Sequence, residues 1–138
     1  MTRNHNRTSV DANQGEIIDT FRRMGASVLF IQEPVDLLVG FNGCAALVEI
    51  KRDHRQIAKG ETIGNYRFTD TEREFYRKWN GVIPVVVIET GFQAGVLFEA
   101  MNHGPRDHVL AVCHEITEKW AAGVRERLFM QQKELIKP

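Results

Sequence analysis

VDLLVGFNGCAALVEIK, residues 35–51, consists of two apolar runs joined by Asn42-Gly43. Asn-Gly is the pair that a two-residue type I′ turn demands, because both central positions take positive φ. Residues 35–41 and 44–51 therefore read as one β-hairpin. Pro34 stands just ahead of it, where a missing amide donor is tolerated. With the turn fixed, the register follows by counting outward from Phe41 opposite Cys44. Asp36 then lies across from Glu49, Leu38 from Leu47 and Gly40 from Ala45 on one side of the ribbon. Val39, Ala46, Val48 and Ile50 take the other side, and Lys51 joins Glu49 on the Asp36 side. Both sides are largely apolar, so helices are expected over both, in an α/β or α+β domain with this hairpin near its centre.

The flanking segments supply those helices. Upstream, Ile17, Phe21 and Met24 recur at helical spacing; a helix over residues 10–24 follows, with Asn13 as its N-cap and Gly25 as its stop. Residues 27–31 read as a short buried strand. Downstream, residues 52–67 are polar and contain Gly60 and Gly64, the marks of a loop. Thr69-Asp70-Thr71-Glu72 opens a second helix with a capping box, Phe75 and Trp79 lie on one face of it as core residues, and Gly81 ends it. Residues 84–89 form another buried strand and residues 91–103 a helix. From Asp107 onward Val109, Val112, Ile116, Trp120, Val124 and Leu128 make one apolar stripe, with Gly123 as a point of bending or breakage.

At 138 residues the chain is one domain, and 43% hydrophobic residues support a core without covalent staples. Eighteen basic and 18 acidic side chains cancel, which removes the argument that a strongly basic domain would make for nucleic acid and leaves only local basic strips to consider. The polar first residues carry no signal-peptide pattern, and no apolar run approaches the length of a membrane span. Two isolated cysteines, Cys44 and Cys113, and five histidines without an HExxH pattern exclude a disulfide scaffold and a thiolate zinc site; a reducing cytoplasm suits them.

The chemistry lies on the hairpin. Like charges facing each other across a ladder are destabilising, so Asp36 and Glu49 call for a positive charge between them. A divalent oxygen-seeking ion, Mg²⁺ or Mn²⁺, meets that need with carboxylates, a backbone carbonyl and waters. Lys51 beside it would orient a water or balance charge on phosphoryl oxygens. The bland alternative is an ordinary Glu49–Lys51 ion pair at a strand end.

The runs NQGEIIDTFRRMGA (13–26), EPVDLLVG (33–40), AALVEIK (45–51), FTDTEREFYRKW (68–79) and PVVVIE (84–89) together resemble the PD-(D/E)XK nuclease superfamily, and within it the small virus-type VRR-NUC nucleases and Holliday-junction resolvases. The resemblance implies a restriction-endonuclease-like αβββαβ core, a central mixed sheet flanked by helices, with a C-terminal helical extension. On that division residues 1–10 are a basic arm, 11–94 the core and 95–138 the extension. It further implies catalytic residues Glu16, Asp36, Glu49 and Lys51. The metal would be held by Asp36, Glu49, the carbonyl of Ile50 and Glu16. Glu72 stands where such proteins often carry a glutamine, as an extra ligand or an outer support. Val35 interrupts the familiar Pro-Asp pair, and residues from Gly95 onward match no motif. Glu16 and Glu72 each also fit a capping box, after Asn13 and Thr69.

The implied activity is Mg²⁺-dependent DNA endonuclease, with Mn²⁺ as substitute, no organic cofactor and branched or junction DNA as a substrate by analogy. The compartment would be the cytoplasm of a bacterium or phage-infected cell. Arg52, Arg55 and Lys59, with Arg3 and Arg7, would contact phosphates, and Tyr66 and Phe68 are the candidates for base stacking. The C-terminal stripe packs on the core or on a second copy in a homodimer. Two other readings stay open: a non-catalytic DNA-binding or assembly protein that keeps the nuclease fold, and a small α/β protein with no nucleic-acid role.

Overall fold

The computed structural model describes residues 9–58 and 66–135. Helix α1 (Ser9–Met24) leads into β1 (Ser27–Phe30), β2 (Leu37–Phe41) and β3 (Cys44–Ile50). A 3-10 turn (His54–Gln56), α2 (Asp70–Lys78), β4 (Val85–Ile88), α3 (Gly91–His103) and α4 (Arg106–Leu135) follow. The strands form one open sheet in sequence order. β1–β2 and β2–β3 pair antiparallel, β3–β4 parallel. Parallel neighbours need a crossover, and the segment carrying α2 makes it. The chain is a mixed α/β (α+β) domain.

Asn42 and Gly43 have φ of 53° and 76°, as a type I′ turn requires, and the ladder runs from Phe41↔Cys44 to Leu37↔Val48 in the counted register. Asn42 also ties the hairpin tip to the end of α3, donating from Nδ2 to the carbonyls of Met101 and Asn102 at 3.3 and 3.2 Å, among the last-turn carbonyls that lack helical partners. The ladder stops earlier than the count implied. The Asp36 amide donates to the Val48 carbonyl at 3.1 Å, although Val48 is the partner of Leu37. Two residues of one strand thus address one of the next, the pattern of a β-bulge. Asp36 is therefore off the ladder rather than the cross-strand partner of Glu49, and β2 begins at Leu37.

Helix α1 ends as its sequence indicates. Gly25 takes φ +106°, its amide donates to Arg22, and that of Ala26 donates to Phe21: the two bonds of a Schellman motif, with Ala26 and Phe21 sharing the core. Its start differs. Asn13 lies inside the helix and is no N-cap; its Nδ2 reaches the Lys51 carbonyl at 2.9 Å. The expected buried strand at residues 27–31 is instead a four-residue sheet edge with Leu29 and Phe30 exposed.

Leu37, Val39, Ala46, Val48 and Ile50 join Val86 and Ile88 on one face, where they meet Ile17 and Phe21 of α1 and Leu97 and Met101 of α3. The opposite face carries Val87, packed with Tyr66, Trp120 and Val124. Helix α4 serves both: Val109, Cys113 and Ile116 belong to the first cluster, Trp120 and Val124 to the second. Between them the buried Thr117 accepts from the Val87 amide at 3.0 Å. That contact satisfies one outward-facing donor of β4 on the sheet edge. The division at residues 94 and 95 falls inside α3, whose side chains share the core of α1.

Gly123 does not break α4. A Cβ there would lie 2.2 Å from Nε2 of His54, so the glycine makes a seat for that imidazole. Trp79, expected in the core, is 40% exposed; it caps α2, and its Nε1 donates to the Ile83 carbonyl. Phe75 is only half-buried against it. Tyr66 is wholly buried and cannot serve as an open stacking platform, while Phe68 stacks on Trp120 and Tyr76. Both cysteines are free, and burial pushes the Cys113 thiol up to about 12. None of the described helices is long and apolar enough to cross a membrane.

Candidate active site

The polar side chains gather where β3 and β4 end. Parallel pairing sets Glu49 beside Val87, so Glu49 points to the Val87 face, away from the α1–α3 core, with Lys51 two residues on. Asp36, displaced by the bulge, turns its carboxylate onto the same strand end: Oδ2 accepts from the Ile50 amide at 2.7 Å. From the other side comes Glu72. Thr69 caps α2 in a full capping box: its Oγ1 accepts from the Glu72 amide at 3.2 Å, and Glu72 Oε1 accepts from the Thr69 amide at 2.8 Å. The same Oε1 receives Lys51 Nζ at 2.7 Å, and Lys51 is 3.4 Å from Glu49 Oε2. Capping and site membership are one role for Glu72.

Glu49 and Glu72 thus share one ammonium, with Asp36 beside them, and Glu49 and Lys51 are buried. Burial, the adjacent Asp36 and the hydrogen bond and charge of Glu72 push the Glu49 carboxyl up to about 9. Asp36 is also raised, by burial against the opposing Ile50 amide and Lys51. Glu72 goes the other way: burial acts against it, but hydrogen bonds from Glu49, Lys51 and the Thr69 amide hold it below the usual carboxylate range. Glu49 therefore carries the proton, shared toward Glu72.

Glu16 is not drawn into this group by any bond found. Its Oε1 accepts from the Gly91 amide at 2.8 Å, beside the Thr90 cap, where α3 begins. A carboxylate suits a helix N-terminus, and a Cβ at Gly91 would come within 2.6 Å of that oxygen. The capping expected of Glu16 is real but serves α3, not its own helix.

The basic residues are arranged differently from expectation. Arg55 forks onto Asp53, with Nε and Nη2 at 3.0 and 2.6 Å, and Arg52 lies over the Tyr66 ring at 5.0 Å. Arg3, Arg7 and Lys59 lie outside the described residues. Arg67, Arg73 and Arg125, from the loop before α2, from α2 and from α4, line a 190 Å³ cleft with Phe68 and Trp120 on its wall. Arg73 follows Glu72 on α2 and pairs with Asp70 at 3.1 Å. No sequence pattern joins these arginines, because the packing of α4 brings them together.

A second group also escaped the sequence reading. Asp53, His54 and Glu89 converge where β3 and β4 end. His54 meets Glu89 Oε2 through both its amide and Nδ1, at 2.8 and 2.7 Å. Burial outweighs these bonds and raises the Glu89 carboxyl. Its one sequence signal is a charge ending the apolar run VVVI, residues 85–88, legible only once β4 is paired with β3. No family model, curated protein or solved structure matches the chain.

Proposed function

We propose that the chain is a metal-dependent deoxyribonuclease of the PD-(D/E)XK type, hydrolysing phosphodiester bonds. The observation that carries this reading is the group at the end of the central strands, where Glu49 and Glu72 share the Lys51 ammonium and Asp36 lies beside Glu49, held by the Ile50 amide. The αβββαβ order that delivers them there supports it. The donor set fits a hard divalent cation: it is all oxygen, with three acids to one ammonium, and burial together with the adjacent Asp36 and Glu72 pushes its central carboxyl up to about 9. Asp36, Glu49 and the Ile50 carbonyl would hold Mg²⁺ or Mn²⁺. Glu72 takes the place in the set that the sequence reading gave to Glu16, which Gly91 engages. When bound, such an ion polarises a phosphoryl oxygen and acidifies water.

The chain's own groups do the rest. Lys51 is held at a fixed point by Glu72 and Glu49, so its ammonium orients the attacking water and balances charge that builds on the phosphoryl oxygens. Glu72, pinned by the Thr69 cap, fixes Lys51. Expulsion of the 3′-oxygen would leave a 5′-phosphate. Incubation of linear, flapped and four-way DNA with Mg²⁺ or Mn²⁺ tests the reading. Cleavage is expected, reduced at least a hundredfold in Asp36→Asn. Binding of DNA without any cleavage would favour the scaffold reading instead.

The arginine cleft supplies the strand contact. Arg67→Gln, Arg73→Gln and Arg125→Gln are each expected to weaken DNA binding at low salt. Each should also flatten the plot of log affinity against log salt by about one unit per lost phosphate contact. Titrations over a salt series check this; three unchanged slopes would remove the cleft from the substrate path.

A further inference from the structure

The geometry points to a second cation site, built from Asp53, His54 and Glu89, for a transition ion that accepts imidazole nitrogen, with Zn²⁺ as the probe. One imidazole nitrogen and two carboxylate oxygens lie within 4.8 Å of one another. Asp53 is 7% and Glu89 2% exposed. Each of the three is independently aimed. Glu89 is fixed where β4 ends, its amide donating to Gln93 Oε1 at 2.7 Å. Asp53 caps the 3-10 turn by accepting from the Arg55 amide at 3.0 Å. The His54 ring sits on Gly123, with Nε2 against α4, and so presents Nδ1 to Glu89.

Charge complementarity identifies the ligand. Among the described residues one guanidinium, that of Arg55, pairs with these two buried carboxylates, on Asp53, and its side chain is 69% exposed. With a neutral imidazole, and once the proton shared between Nδ1 and Glu89 is released, the group is short by one positive charge. A divalent ion supplies it, and a nitrogen donor with two oxygens favours Zn²⁺ or its neighbours over Mg²⁺. On binding, Nδ1 gives its lone pair to the ion and the ring keeps its proton on Nε2. The proton between Nδ1 and Glu89 leaves to solvent, and Arg55 swings off Asp53. Coordination would clamp the turn after Lys51 to β4 and α4. The site is independent of the nuclease reading, and cleavage is not its readout.

Zn²⁺ binding to the full chain, measured by calorimetry and thermal melting in excess Mg²⁺, tests the proposal. One Zn²⁺ per chain with a raised melting temperature is expected. Affinity should fall at least tenfold in His54→Gln and Glu89→Gln and stay unchanged in Asp36→Asn. Arg55→Gln, which releases Asp53 and leaves all three ligand residues in place, should tighten binding several-fold. It also covers the case in which the two ligand variants do not fold. Absence of Zn²⁺ binding, binding lost in Asp36→Asn but kept in His54→Gln, or no tightening in Arg55→Gln would overturn it.

Discussion

Glu49→Gln is expected to stabilise the protein at neutral pH without added cation and to abolish the divalent-cation-dependent cleavage proposed above. The stability half follows from linkage. Burial, Asp36 and Glu72 raise the folded-state Glu49 carboxyl from 4.5 to about 9, so between those values the folded chain holds a proton that the unfolded chain has released. Stability contributed by this group is complete below pH 4.5 and is lost as pH rises through about 9. The decline is on the order of 1 kcal/mol per pH unit. Glutamine keeps the shape and the hydrogen bond to Glu72 without the ionisation. At pH 7 the variant should gain about 2 kcal/mol, roughly 5–8 °C in melting temperature. Melting curves from pH 5 to pH 9 in EDTA check it: wild type should soften steadily with pH and the variant much less. The activity half follows because an amide is a poorer ligand for a hard cation than a carboxylate. A variant both firmer and inactive is the trade expected of a functional site. Equal melting of the two proteins at every pH would show that Glu49 is not held protonated by its surroundings.

How far the sequence reveals this site can be judged residue by residue. The hairpin was legible because Asn42 and Gly43 determine their own backbone, and the turn then sets the pairing of Leu37 to Phe41 with Cys44 to Val48. The proximity of Asp36 and Glu49 followed, but not its form. Counting by twos assumes an unbroken ladder, whereas the bulge at Asp36 turns its carboxylate onto the Ile50 amide. The Thr69–Glu72 box was legible because capping is local; that the same Glu72 would grip Lys51, 21 residues distant, was not. Asn13 and Glu16 misled for the converse reason. Their local pattern was sound, yet each found a partner across the fold, in the Lys51 carbonyl and the Gly91 amide. The arginine cleft and the Asp53–His54–Glu89 group depend on where α4 lies, and nothing local encodes that. Gly123 shows this most plainly. Read alone it weakens a helix; in the fold it admits a histidine.

Lys51→Met separates catalysis from metal binding. Methionine retains most of the stem and removes the ammonium that Glu72 holds at 2.7 Å and Glu49 at 3.4 Å. Breaking a buried ion pair leaves an uncompensated charge and costs about 3–5 kcal/mol when the partner cannot adjust. Here Glu72 can adjust: with Lys51 gone, one of the bonds that keeps its carboxyl low disappears and it takes up a proton more readily. The metal-free variant should therefore melt below wild type, with a deficit that widens as pH rises and the acids ionise. Mg²⁺ or Mn²⁺ should restore most of the loss, because the cation supplies the charge that the lysine did. Its affinity should match or exceed that of wild type, since a competing positive charge is absent. Cleavage should nonetheless fall about a thousandfold, the scale of removing a positioned group that stabilises transition-state charge. Metal titrations, melts with and without cation, and single-turnover cleavage give the three readouts. Rescue of stability without rescue of cleavage assigns Lys51 to the chemistry. Wild-type cleavage rates in Lys51→Met, with the Asp36→Asn control silent, would leave a metal site on this hairpin but no role for the lysine in hydrolysis.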